Sequence, residues 1–175
     1  KRFQILSEDI QQKFDEKVKE LKDTLPELTK GVNCCELTFT SILDVLGVDN
    51  YMFHNLAMPL AGGFGGYKSK EGWQGACGAV TGACAAIGII MGGAKKRDPV
   101  TMSMAYLKAS KYCTEFEEKF GTVVCADLCG YDFSDPKGMQ NYQENDVWKK
   151  TCYKFVVWAV DRVRKITRKD LKRKW

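Results

Sequence analysis

Only one histidine, His54, and four prolines occur in the 175-residue chain. A lone histidine confines Ser-His-Asp or Cys-His chemistry to one position. That position lies in an apolar segment and reads as structural. No H-E-x-x-H, C-x-x-C, C-x-x-C-H or zinc-finger spacing is present. A metalloprotease helix, a thioredoxin-type motif, attached c-type haem and a finger are thereby excluded. There is no G-x-x-x-x-G-K-[ST] phosphate loop either. No run alternates apolar and polar residues between turn signals, so strands are not expected. The longest apolar run, 75–91, is about 17 residues, at the lower limit of the ~17–25 that span a bilayer, and is poor in Leu, Ile and Phe. No transmembrane segment is expected.

What the chain does have is cysteine: eight residues, Cys34, Cys35, Cys77, Cys84, Cys113, Cys125, Cys129 and Cys152. At this length one domain over 1–175 can bury a true core without disulfides. Hydrophobic content of 45% and charged content of 28% are those of an ordinary globular protein. The net charge of +5 is concentrated at the end. Residues 161–175 carry eight Lys or Arg against Asp161 and Asp170. Such a tail can bind nucleic acid, anionic lipid or an acidic partner. The favoured reading is a solvated helix end facing the negative pole of its own dipole. Few aromatics interleave with this charge, so nucleic acid is not an expected partner. The sequence starts at Lys1 without a visible signal peptide. The expected compartment is cytoplasmic, with export before processing left open.

Along the chain the apolar spacing predicts helices. Ser7 is a candidate N-cap with Glu8 and Asp9 in the first turn, and Ile10, Phe14, Val18, Leu21 and Leu25 form one face as far as Pro26. Asn33 opens a second helix, with Glu36 at its third position and Gly47 just past its end. Tyr51–Leu60 reads as one or two helical turns stopped by Pro59. Ala61–Gly66 has four glycines in six residues and reads as a turn that lets the backbone pass close to something. Asp98-Pro99 caps a long helix ending at Gly121, with Met102, Tyr106, Ala109, Cys113, Phe116 and Phe120 as its inner stripe. Tyr131–Asn145 reads as a loop, and a last helix spans about 146–168 with Trp148, Cys152, Phe155, Val156, Ala159, Val163 and Ile166 facing inward. The expected class is all-α, with five to seven helices.

Gly75–Met91 is the expected central helix. Gly78, Gly82 and Gly88 would weaken an isolated helix by about 1 kcal/mol each relative to Ala, so their use is close approach of neighbouring backbone. Cys77, Thr81, Cys84 and Gly88 share a face. Cys34 falls at the first position of its helix, where the dipole and free amides stabilise a thiolate. Cys113 reads as a packed small hydrophobe, and Cys125 and Cys129 share a face if their segment is helical. Thiols so scattered act together only if folding gathers them. Four can ligate an iron–sulfur cluster, pairs can cycle between dithiol and disulfide with Cys34 attacking, and a Cys₄ zinc site is a third option.

Several motifs occur in a recognisable order. They are Asn33-Cys34 opening a helix, Gly-Gly-Phe-Gly-Gly, Cys77-Gly78-Ala79-Val80-Thr81-Gly82-Ala83, Gly121-x-x-x-Cys125-x-x-Leu128, and a late Cys152 before an apolar helix. This order, over roughly residues 30–160, resembles the C-GCAxxG-C-C family of redox-active proteins. The match departs from the family's name at Cys77-Gly78-Ala79, which does not reproduce its spacing letter for letter. A related domain accompanies the haem segment of split-Soret cytochromes, where an iron–sulfur centre is attributed to it; no counterpart of that haem segment is present in these residues. The resemblance implies that Cys34, Cys77, Cys125 and Cys152 converge on an iron–sulfur cluster, with zinc as the lesser alternative. It implies electron transfer to a redox partner protein, and a homodimer is an allowed assembly. Cys35, Cys84, Cys113 and Cys129 lie outside that pattern and are candidates for a second site.

Overall fold

The structure, a computed structural model, describes residues 2–175, with side chains from Ile10 onward. The described residues are 73% helical and form no strand. Ten helices follow in order: α1 (Arg2–Thr24), α2 (Cys34–Leu46), α3 (Met52–Ala57), α4 (Gly62–Gly66), α5 (Gly78–Gly92), α6 (Pro99–Phe120), α7 (Cys125–Cys129), α8 (Gly138–Glu144), α9 (Tyr153–Ile166) and α10 (Arg168–Lys174). The all-α class holds. The count exceeds five to seven because short helices occupy segments expected as loops or as continuations of longer helices.

The predicted caps explain where the long helices start and stop. Asn33 stands in extended conformation and its side chain accepts from the Glu36 amide at 2.9 Å. Gly47 then ends α2 at φ 70°, in the left-handed region that favours glycine. Glu36 does not reach back to complete a capping box. Its carboxylate holds His54 Nδ1 at 2.8 Å instead, which gives the single histidine its structural place. Asp98 accepts from the Thr101 amide at 2.7 Å and Pro99 follows at the first helical position. The Ser7 cap is overturned: α1 already begins at Arg2, so Ser7, Glu8 and Asp9 fall inside the helix rather than at its start. Of the predicted face, Ile10, Phe14, Leu21 and Leu25 are buried and Val18 is half-buried.

Helix α5 lies at the centre, packed against α2, α6 and α9. Its glycines are needed where α2 crosses. A Cβ on Gly78 would stand 2.7 Å from the Cys35 amide nitrogen, and one on Gly82 2.6 Å from the Cys35 carbonyl oxygen. Gly88 is different: it is exposed, with nothing within 4 Å of a built Cβ, so close approach does not account for it. The α6 stripe also needs correcting. Tyr106 is exposed and Tyr112, outside the predicted stripe, is fully buried with Phe116. Tyr112 donates its hydroxyl to the Ala79 carbonyl at 3.1 Å, and this bond sets the face α6 turns towards α5.

The C-terminal region is not one helix. Trp148–Cys152 is a π-helical turn, α9 follows, and Thr167 breaks the chain before α10. Nor is the basic end a free solvated run. Leu171 is fully buried, Asp170 pairs with Lys108 at 3.1 Å, and Trp175 Nε1 donates to the Ile90 carbonyl at 3.2 Å. Lys172, Arg173 and Lys174 are exposed, although Lys174 Nζ also donates to the Met91 carbonyl and Arg173 pairs with Asp170. The segment 131–145 contains α8 rather than being wholly loop. No helix among the described residues is long and apolar enough to cross a membrane.

Candidate functional site: a cleft of thiols

Cys34 opens α2, and Cys77 is the residue just before α5. Cys125 and Cys129 stand one turn apart at the two ends of α7, and Cys152 closes the π turn. A π turn carries one more residue than an α turn and so re-aims the side chain that follows it. The turn is held by Trp148, whose Nε1 donates to the Leu25 carbonyl at 2.6 Å.

Backbone contacts fix the segments that carry Cys77 and Cys125. Cys77 N–H donates to the Val123 carbonyl at 2.8 Å, and Cys125 N–H to the Gly75 carbonyl at 3.0 Å. Behind this short ladder lies α4, the glycine loop. Gly63, Phe64 and Gly65 have φ/ψ of 64/43°, 57/47° and 70/29°. These are left-handed helical angles, and the Gly65 and Tyr67 amides close four-residue bonds onto Ala61 and Gly63. A left-handed turn costs L-residues roughly 1–2 kcal/mol each and glycine little, which is why four of its five residues are glycine. The absence of side chains also brings α4 close. A Cβ on Gly63 would stand 3.3 Å from Cys125 Cβ, and one on Gly66 2.7 Å from the Phe133 carbonyl carbon. The turn predicted to pass close to something passes against the segment bearing Cys125.

The result is a cleft of about 600 Å³ lined by Cys34, Cys125, Cys129 and Cys152, with Phe133 and Tyr142 from the 131–144 segment along one side. Cys77 is buried and does not line the cleft, but it stands close enough to influence Cys34, Cys125 and Cys152 electrostatically. Thus all four residues of the expected set come to one region, and Cys129 joins them. The signal for Cys129 was its four-residue spacing from Cys125. A larger pocket of about 780 Å³ between α1 and α9, lined by residues such as Lys22, Lys154 and Trp158, contains no thiol and is remote from this chemistry.

All of these thiols except Cys129 are held against ionisation. Burial pushes Cys34 well above its ordinary pKa, with Cys77 and Cys152 adding to the effect. The helix N-terminus therefore does not give Cys34 the depressed pKa expected of an attacking thiol: desolvation outweighs the dipole. Burial likewise raises Cys77 to about 11, against the pull of the Ala79 and Val80 amides, and Cys152 to about 12, against a hydrogen bond from Tyr142. Cys125 is raised by hydrogen bonding to Cys129, and that same bond holds Cys129 down at about 7. Among the described residues, no three His, Cys, Asp or Glu side chains are gathered closely enough to hold a single metal ion.

Two predicted features end up elsewhere. Cys35, on α2, is fully buried where the backbone of that helix crosses Gly78 and Gly82 of α5. Cys113 is half-buried rather than sealed in a stripe, and its sulfur lies 3.9 Å from that of Cys84.

Compared with known proteins, residues 32–166 match the model of a family described as "Putative redox-active protein (C_GCAxxG_C_C)". No curated protein matches the chain. No solved structure does either.

Proposed function

Because this chain belongs to the C-GCAxxG-C-C family, described as "Putative redox-active protein", we propose that it is an electron-transfer protein whose thiol cleft holds an iron–sulfur cluster. The observation that carries this reading is the cleft itself: four thiols from three separate segments line one cavity of about 600 Å³, with Cys77 beside it. Iron–sulfur clusters are held by cysteine thiolates, and the donor set fits. The spread of the sulfurs around a cavity favours a multinuclear cluster over one zinc ion, whose four sulfurs must all lie at about 2.3 Å from the metal.

Cys34, Cys77, Cys125 and Cys152 would bind the iron atoms, and the cluster would supply reversible one-electron chemistry. The remaining roles belong to the chain. The Cys77–Val123 and Cys125–Gly75 backbone bonds hold two ligands in register. Tyr142 donates to the Cys152 sulfur and, with Phe133, covers one side of the cleft. Hydrogen bonds to ligand sulfurs and exclusion of water are the means by which a protein tunes such a centre. Cys129, hydrogen-bonded to Cys125, is a neighbour to the ligand set.

Anaerobic purification followed by iron and acid-labile sulfide analysis tests the reading. Brown protein with stoichiometric iron and sulfide is expected. Protein that stays colourless and iron-free after anaerobic reconstitution sinks it.

A further inference from the structure

Two thiols that the cleft does not use face each other across a helix pair. Cys84 Sγ on α5 lies 3.9 Å from Cys113 Sγ on α6, and both residues are half-buried. Seven residues, about 10 Å along α5, separate Cys84 from Cys77. The pair sits at the edge of the helix packing. Gly88, one turn beyond Cys84, is exposed with open space where a Cβ would be, and Ser110 and Glu117 flank Cys113 on exposed positions. The helices are fixed relative to each other here, since Tyr112, next to Cys113, is bonded to Ala79 of α5. A disulfide has its sulfurs about 2.05 Å apart. Bringing the two sulfurs from 3.9 Å to bonding distance is the change that oxidation requires here.

We infer that Cys84 and Cys113 are a second redox centre, a dithiol that exchanges with low-molecular-weight disulfides at the α5–α6 groove. At Gly88, one turn beyond Cys84, nothing lies within 4 Å of a built Cβ, so the α5 surface there is open to an approaching R–S–S–R molecule. Cys113, having released its proton to water, attacks one sulfur of that disulfide as the thiolate: a Cys113–S–R bond forms, the R–S–S–R bond breaks, and the departing thiolate takes up a proton from water. The Cys84 thiol releases its proton to water and attacks Cys113 sulfur, expelling the second R–S group as a thiol. Two protein thiols are oxidised to one disulfide while one disulfide is reduced to two thiols, a balanced transfer of two electrons and two protons. The order of attack follows from the thiol–thiol hydrogen bond, which lowers Cys113 to about 7 and raises Cys84.

The test treats the reduced full-length protein with oxidised glutathione, alkylates the remaining thiols and maps disulfides by non-reducing tryptic mass spectrometry. The expected product links peptide 71–95 to peptide 112–119. Fragmentation must place the bond at Cys84, because Cys77 lies in the same peptide, and dithiothreitol must release it. In Cys84→Ser the reaction should stop at the Cys113–glutathione mixed disulfide, and in Cys113→Ser the cross-link should be lost. Neither variant should change iron or sulfide content, so the result is independent of the cluster reading. Wild-type digests without the Cys84–Cys113 cross-link overturn the proposal, whether Cys113 ends as a mixed disulfide or alkylated.

Discussion

The carbonyl oxygen of Gly63 lies 2.1 Å from the point where a Cβ on Gly75 would stand. The left-handed turn α4 and the strand-like segment leading to Cys77 are thus in backbone-to-backbone contact. Because Gly75 also accepts from the Cys125 amide at 3.0 Å, three segments meet at one residue that has no side chain. Cys125, which lines the cleft, and Cys77, which stands beside it, hang from that junction, so its geometry bears directly on the site.

Gly75→Ala should therefore disturb both fold and site. The clash is with backbone, which cannot rotate away, so the loss should reach at least the roughly 1–3 kcal/mol of core overpacking. Cys77 and Cys125, buried in the native protein, should become faster to alkylate. A variant with unchanged melting temperature and unchanged alkylation at both thiols would contradict the junction argument.

The α5 glycines divide into two kinds, and alanine distinguishes them. Gly82→Ala places a Cβ 2.6 Å from the Cys35 carbonyl oxygen and should destabilise. Gly88→Ala meets nothing within 4 Å and removes the entropy penalty of glycine in a helix, so it should stabilise by about 0.5–1 kcal/mol. Thermal unfolding of the two variants should move in opposite directions.

Much of this was legible locally. Asn33, Gly47, Asp98-Pro99 and Gly121 mark helix ends because capping depends on a few neighbouring atoms, and small residues four apart at Gly78 and Gly82 announced close packing. Features made by distant contacts were not legible. A π turn at Trp148–Cys152 leaves the apolar periodicity almost intact, so one helix was expected where the chain has two and a bulge. The handedness of Gly62–Gly66 needs φ values that glycine permits but does not dictate. The Cys84–Cys113 pair depends on which face of α6 meets α5. Spacing alone put Cys113 in the stripe and missed Tyr112.

Docking of α10 is one of those distant contacts, and truncation measures it. Removing residues 167–175 deletes fully buried Leu171, the Lys108–Asp170 pair and the Trp175–Ile90 bond. The milder Leu171→Ala should cost about 2–5 kcal/mol, as for other buried leucines. Chemical denaturation of Leu171→Ala that matches wild type would return the tail to the solvated role suggested by its charge.

The reactivity of Cys113 should depend on pH in a defined way. A hydrogen bond from Cys84 stabilises its thiolate, while burial and Glu117 oppose ionisation. Its alkylation rate should rise as pH passes through about 7. Cys84→Ala removes the donor, so the midpoint should move up towards or beyond the free-thiol value of about 8.5. Peptide-resolved alkylation across pH 5–10 gives both curves, and coincident midpoints would exclude the hydrogen bond as the cause.

The cluster reading assigns different consequences to different cysteines, and single serine substitutions separate them. Cys34, Cys77, Cys125 and Cys152 each fill one coordination position, so each change should lower iron content and visible absorbance by a similar amount. Cys129 lines the cleft beside Cys125 but lies outside the family's four-cysteine pattern. Cys129→Ser should keep its iron and shift only the reduction potential, since hydrogen bonding near a ligand sulfur tunes potential rather than occupancy. Cys113→Ser, at the α5–α6 groove, should alter neither. Anaerobic metal analysis with potentiometry reads all six variants. If Cys129→Ser loses iron while Cys77→Ser retains it, the fourth ligand is Cys129, which lines the cleft, rather than Cys77, which does not. If all six keep wild-type iron, thiol ligation in this cleft is wrong.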